Sequence, residues 1–172
     1  MASAKQDQDI IVQITKNFKN IDIRLPRLKK LVNVICNRFK LSKATISIAI
    51  VDDTQIRKVN KQFLNKDRPT DCLSFNLSEN DTNSVKSFEL VVNAEMAVRQ
   101  ANLRGHSSEA ELALYITHGL LHNLGFDDST QKQAEKIHTI EDQILQELGY
   151  GSVYNKSAQE LLNSKNTTHQ NR

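Results

Sequence analysis

Between residues 117 and 128 the chain reads T-H-G-L-L-H-N-L-G-F-D-D, which holds two histidines and two aspartates, all side chains able to bind a metal. His118 and His122 are four apart, so on a helix their rings stand one above the other on a single face. Two neutral imidazoles placed like that can share one divalent ion. Gly125 follows at three residues, where a positive φ would end the helix and turn the chain back. The turn lets Asp128 return to the face the helix has just left and offer an oxygen as third ligand. The spacing H-x3-H-x2-G-x2-D therefore predicts three protein ligands with a position left open, the ligand count of catalytic zinc. Zinc is the expected ion, and the oxygen ligand also admits manganese, nickel or another divalent metal. A histidine pair at helical spacing is by itself commonly an ordinary polar pair; the glycine and the carboxylate are what point to metal.

The elements that must hold these residues are legible from periodicity. The stretch 9–15 (D-I-I-V-Q-I-T) is short and β-branched, a first strand. Pro26 opens an amphipathic helix with Leu28, Leu31, Val32, Ile35 and Phe39 on one side and Arg27, Lys29, Lys30 and Arg38 largely on the other. Residues 44–51 alternate with period two, a strand, and Asp53 is the expected cap of the helix that follows to about Asn65. After a turn at 65–69, strands are expected at 70–75 and 88–93, then a helix from Ala94 to about Leu103. Ser108 and Glu111 are expected to form a capping box for the histidine-bearing helix. That helix is apolar almost all round, through Leu112, Leu114, Tyr115, Ile116, Leu120, Leu121 and Leu124, and so is expected at the centre of the protein. Thr130 and Gln133 should cap a last helix carrying Ile137, Ile140, Ile144, Leu145 and Leu148, with Gly149 ending it.

Strands and helices mix without strict alternation, which predicts an α+β fold: a small mixed sheet packed with helices around a central, buried, metal-bearing helix. The 172 residues suit one domain at 9–150, with polar tails at 1–8 and 151–172, the former expected to be disordered and the latter to hold at most a turn near 158–162. No apolar run approaches the roughly 18 residues of a membrane span, and the first residues lack the apolar core of a secretory signal, so a cytoplasmic location is expected. Cys36 and Cys72 read as reduced core residues.

Charge is unevenly spread. Through Arg68 there are 15 Lys and Arg against 6 Asp and Glu, and from Pro69 to Tyr150 there are 5 against 13. A basic half beside a metal-bearing half suits a polyanionic substrate, although any single charge run is commonly a solvated helix face. The N-terminal basic helix and Lys58, Lys61, Lys66 and Arg68 could follow a nucleic-acid backbone, and Thr70 and Ser74 could hydrogen-bond the substrate, although in a strand such residues commonly pair locally. His106 and His138 lie outside the motif and read as structural or solvent-exposed.

Two families share parts of the pattern. Zinc peptidases of the metzincin kind carry H-E-x-x-H-x-x-G-x-x-H, and His118, His122, Gly125 and Asp128 resemble that skeleton. Gly119 stands where those enzymes keep a glutamate base, whose loss costs about a hundred- to ten-thousand-fold in rate, so peptide hydrolysis is disfavoured. The combination of H-G-L-L-H-N-L-G-F-D-D with P-T-D-C-L-S-F at 69–75 closely resembles the YbeY family of bacterial rRNA maturation factors. The upstream V-N-K-Q-F-L-N-K-D-R-P-T-D and the strand E-L-V-V-N sit in the expected order, and the resemblance spans about residues 10–150. It implies a zinc-dependent, single-strand-specific endoribonuclease that acts on the three-prime end of small-subunit rRNA and in ribosome quality control, with the ribosome or its proteins as partners. The chain departs from that family in two places. Asp128 replaces a third histidine, bringing a negative charge that weakens the Lewis acidity of a bound ion. Leu64 stands where many relatives have an arginine, whose phosphate contact Lys66 or Arg68 could assume. Asp127 matches the family's aspartate and is expected behind the ligands or as a cap. A ribosome-assembly factor with a structural metal and little or no catalysis is the alternative reading.

Overall fold

The computed structural model describes residues 9–81, 83–151 and 153. The expected tail at 1–8 and the turn near 158–162 lie outside the described residues. Among the described residues nine elements follow one another: β1 (Asp9–Lys16), α1 (Leu25–Arg38), β2 (Lys43–Val51), α2 (Asp53–Leu64), β3 (Cys72–Asn76), β4 (Lys86–Asn93), α3 (Ala94–Arg104), α4 (Ser108–Asn123) and α5 (Gln131–Glu147). The sheet has the order β1-β2-β4-β3, with β3 antiparallel to β4 and the other pairings parallel. This is the α+β mixture expected from the sequence.

Register decides which face is buried. Ile46 pairs with Phe88, Ile48 with Leu90 and Ile50 with Val92, so the apolar side chains of β2 and β4 line up on one face. α1 and α4 pack there, and the core they share includes Leu28, Leu31, Ile35, Leu112, Ile116 and Leu120. A smaller cluster on the other face joins Ile56 of α2 to Val51 and Leu73. Beyond α2 that face is polar, with Gln13, Thr15, Ser47 and Glu89 along a shallow groove, because one side of an alternating strand can stay in water.

α4 is buried on nearly every side, as its composition requires. Burial extends even to two carboxylates in its first turn, Glu109 and Glu111. Glu109 accepts a hydrogen bond from the Arg24 backbone N–H at 2.6 Å and another from Arg27 Nη1 at 2.9 Å, tying α4 to α1. Glu111 is bound by Arg104 at 2.9 Å and by His106, tying α4 to the end of α3. Negative charge is also favoured at a helix N-terminus, where the unpaired N–H groups point.

Two caps differ from expectation. Asp52, not Asp53, caps α2: its side chain accepts from the Gln55 N–H, and Gln55 completes the box. Asp53 is the first helical residue, and its carboxylate is held by Arg99 and Asn93 instead. At α4 the cap is Ser107, which accepts from the Ala110 N–H, so Ser108 and Glu111 form no box. In both places two adjacent residues could cap; Asp53 is held instead by the distant Arg99 and Asn93, and Glu111 by the nearby Arg104 and His106. The Thr130–Gln133 box of α5 forms as expected, and Gly149 follows α5 with φ +79°.

Burial works against the charge of Glu109, but the Arg24 N–H and guanidinium outweigh it and hold the carboxyl below the usual 4.5. A lowered carboxyl contributes stability above its unfolded value and loses it as pH falls through its folded value. Denaturant unfolding from pH 7 to pH 3 should therefore show wild-type stability falling below about pH 4.5, with part of that fall absent in Glu109→Gln. Asp52→Ala should lower stability at pH 7 by about 1 kcal/mol through the lost cap.

Candidate metal centre and cleft

α4 carries His118 and His122 on its last two turns, and the chain leaves it through Leu124 and Gly125, which has φ +95°. Only a residue without Cβ takes that conformation freely, and the turn it makes brings residues 126–128 back against the helix. Asp127 holds the turn closed: its carboxylate accepts from the Asp128 and Ser129 N–H groups at 2.8 and 3.2 Å and from the Ser129 hydroxyl at 2.7 Å. The Ser129 hydroxyl and those N–H groups keep the Asp127 carboxyl below its usual value. Asp127 thus acts as a cap behind Asp128, one of the two roles expected of it.

The three expected ligands meet. His122 Nε2 lies 2.9 Å from His118 Nε2, and Asp128 Oδ2 lies 3.6 Å from the first and 3.4 Å from the second of the paired rings, taken as His118 and His122. Among the described residues this trio is the group of three able to hold a metal ion. The protonation pattern sharpens the point. His122 Nδ1 faces the Phe126 carbonyl at 3.0 Å, which can only accept, so Nδ1 carries the proton. His118 Nδ1 donates to Glu141 Oε1 at 2.6 Å. In their neutral forms both rings therefore present bare Nε2 lone pairs to each other, with a carboxylate oxygen beside them. Three electron-rich atoms so close form a set that a divalent cation could bridge. Donors bound tetrahedrally at about 2.0–2.2 Å stand about 3.3–3.6 Å apart; both histidine–Asp128 spacings match this and the two Nε2 atoms stand closer, so a small opening of the ring pair fits the residues to a divalent ion.

Glu141 comes from α5, and its side chain is 1% exposed. Its second oxygen accepts from His138 Nδ1 at 3.0 Å. Burial disfavours a charged His118 ring, but the hydrogen bond and charge of Glu141, with Asp71 and Asp128 beyond, hold it above its ordinary value. Neither Glu141 nor His138 belongs to the metal motif. One signal was available: Glu141 falls on the apolar stripe of α5, between Ile137 and Ile144, where a carboxylate must find a partner. His138, expected to be structural or solvent-exposed, instead lines the cleft beside His118. His106 is structural, as expected, packed on Glu111 with 9% of its side chain exposed.

That cleft is about 560 Å³, and it runs from His118 and Glu141 towards Arg104 on one side and residues 68–71 on the other. Asn93, fully buried, builds its far wall by donating to the Thr70 carbonyl at 3.0 Å and to Asp53 at 2.7 Å. Of the four residues expected to meet a substrate, Arg68 and Thr70 line the cleft. Thr70 donates to Asp71 at 3.2 Å. Lys66 is exposed in the same turn, and Ser74 sits in β3 opposite Leu90 on the flank of the sheet; neither lines the cleft. Lys61, another expected backbone contact, is bound to Asp67 at 3.4 Å. Leu64 is half exposed at the end of α2.

Gly119 does not face this site. A Cβ built on it would come within 2.7 Å of Cys72 Sγ and 2.9 Å of Leu90 Cδ2, so the glycine lets α4 lie close against β3 and β4. The base position of the zinc peptidases is thus occupied by sheet packing, a reason beyond sequence for setting that chemistry aside.

A histidine pair and a carboxylate at the end of a buried helix, in a small α+β domain, define a protein built around a possible divalent-metal site. The model of the family "Endoribonuclease YbeY" matches residues 13–149, and the chain belongs to that family. It is 31% identical to an endoribonuclease YbeY of Aquifex aeolicus over 86% of this chain and 97% of that one. To the Bacillus licheniformis protein of the same name it is 30% identical, over 81% and 96%. The solution structure of a Thermotoga maritima protein superposes with a TM-score of 0.54 at 25% identity, covering 80% of this chain and 91% of that one.

Introducing the missing carboxylate as Gly119→Glu should not create a peptidase. It should destabilise the fold by on the order of 3 kcal/mol or more, since it overpacks the helix–sheet contact and buries an unpaired charge. A thermal or denaturant melt checks this.

Proposed function

We propose that this chain is a metal-dependent, single-strand-specific endoribonuclease acting in three-prime-end maturation of small-subunit rRNA and in ribosome quality control. Its ion is zinc, held by His118, His122 and Asp128, and it works in the cytoplasm on the ribosome or its precursors. One observation carries the reading: two Nε2 lone pairs face each other 2.9 Å apart because each Nδ1 is committed to its own acceptor. The family relationship supplies the substrate class. Among the described residues no helix is long and apolar enough to cross a membrane.

When bound, such an ion supplies Lewis acidity towards a phosphate oxygen and acidifies water. The chain's own residues do the rest. Glu141 and the Phe126 carbonyl fix both imidazoles in the tautomer that offers Nε2, and Asp127 fixes the turn that offers Asp128. Arg68, on the cleft wall, and Lys66 beside it bring positive charge to a phosphodiester, which gains charge stabilisation in its transition state. Arg104 contributes less, because Glu111 already balances it. A flexible single strand can bend its phosphate into the cleft beside residues 68–71, whereas a stiff duplex bends less readily.

Purified protein should hold one zinc per chain and cleave a single-stranded RNA oligonucleotide while sparing the duplex. His122→Ala and Asp128→Ala should each lose metal and at least about a hundredfold in cleavage, measured by elemental analysis and gel assay on the same samples. Metal retained by Asp128→Ala would remove Asp128 from the ligand set. Full metal with no cleavage under any divalent ion would overturn the ribonuclease.

A further inference from the structure

One wall of the cleft is built by α3. Met96, Gln100 and Arg104 are four apart, so they stand on one face of that helix, and all three line the cleft together with Leu114 and Tyr115 of α4. The wall is apolar at Met96 and Leu114, and most of its polar groups are committed to one another. Arg104 donates to Glu111 at 2.9 Å, and the Tyr115 phenol is drawn to the same buried carboxylate. Asp71 is engaged by the Thr70 hydroxyl and the Cys72 N–H. Gln100 is different. It is half-buried, and among the described residues its side-chain amide has no hydrogen-bond partner.

A primary amide carries donors and an acceptor in one plane. Set in a wall that is otherwise apolar or self-paired, it costs free energy until a partner offering an acceptor beside a donor engages it. A nucleobase has those groups on the edge of a flat body whose faces suit methionine and leucine side chains. The four bases differ in the order and placement of their donors and acceptors, so an amide held by a helix can favour one of them. The cleft volume of about 560 Å³ falls within the range of about 300–1,000 Å³ in which proteins hold small ligands. An unpaired strand can turn a base into such a pocket, whereas a duplex keeps its bases stacked and paired.

We propose that the α3 side of the cleft is a base-binding pocket, and that Gln100 determines which base is accepted at the nucleotide next to the scissile phosphate. The choice of RNA as ligand rests on the ribonuclease reading above. Gln100 hydrogen-bonds the base edge, while Met96 and Leu114 pack on the base. Arg68, on the other side of the cleft, meets phosphate without regard to sequence.

The test compares metal-loaded wild type with Gln100→Leu and Gln100→Glu on single-stranded RNAs that differ only in the two nucleotides flanking the cleaved bond. Each of these carries one of the four bases or no base. Both variants should keep the metal content and circular dichroism spectrum of wild type. At one of the two positions wild type should favour one base by about five- to hundredfold in kcat/KM. Gln100→Leu should bring the four bases to nearly equal rates. Gln100→Glu keeps the shape but trades the NH2 donor for an acceptor, and should change the order of preference. On RNA without that base, wild type and Gln100→Leu should cleave alike. Fluorescence anisotropy on the same RNAs, made with a non-cleavable phosphonate at that bond, reads binding apart from turnover and should show the same favoured base. Equal rates for all bases at both positions, a preference that survives in Gln100→Leu, or a gap between the two proteins that persists on base-free RNA would each overturn the pocket. A wild type that cleaves none of these RNAs would overturn the ribonuclease reading. The pocket would then stand if one base binds more tightly only when Gln100 is present, and fall if all four bind alike.

Discussion

Two imidazoles on one helix turn can face each other only if something else holds their far nitrogens, and the whole site depends on that constraint. In this chain the Phe126 carbonyl holds one Nδ1 and Glu141 holds the other. The first acceptor is available because Gly125 turns the chain back on α4. The second is available because α5 packs its apolar stripe, with Glu141 in it, against the same helix. Loosening either support would let a ring rotate, and the lone pairs would no longer converge on a common point.

The rest of the fold serves to keep α4 still. Its first turn is clamped on one side to α1 through Glu109 and on the other to the end of α3 through Glu111. Buried carboxylates are costly unless fully paired, so these clamps specify where the helix starts more than they add net stability. Its last turns rest on the sheet at Gly119, where β3 and β4 come too close for any side chain. A helix fixed at both ends, by charge and by contact, can present ligands with little freedom, which is what a metal site needs.

The cleft wall shows the same economy. Asn93 caps α3 through its side-chain oxygen, while its amide nitrogen joins the start of α2 to the loop before β3. Asn93 therefore sets the position of Thr70, and a second buried amide, Asn60, holds the Arg68 carbonyl at 2.8 Å. The basic residues of α2 are less free than their number in the sequence suggests, since Arg57 and Lys61 both bind Asp67. Positive charge reaches the cleft from Arg68 rather than from the helix as a whole, since Glu111 balances Arg104.

Much of this was written in local order. His118, His122, Gly125 and Asp128 could be picked out from spacing alone, because a helix repeat and a glycine turn are short-range geometry. The same holds for the alternation of β2 and the all-round apolarity of α4, which foretold the sheet and the central helix. What only the tertiary structure decided are the partners supplied from far along the chain. Asp53 and Glu111 looked like capping residues, but Asp53 is held by Arg99 from far along the chain and Glu111 by Arg104 and His106 just before its helix, and the caps are Asp52 and Ser107. Gly119 looked like a vacancy in the site and is a packing contact with the sheet. Glu141 and His138 carry no motif, since 23 residues of chain separate Glu141 from His118. A ligand's spacing is a property of one helix, whereas the group that orients it is set by how two helices pack.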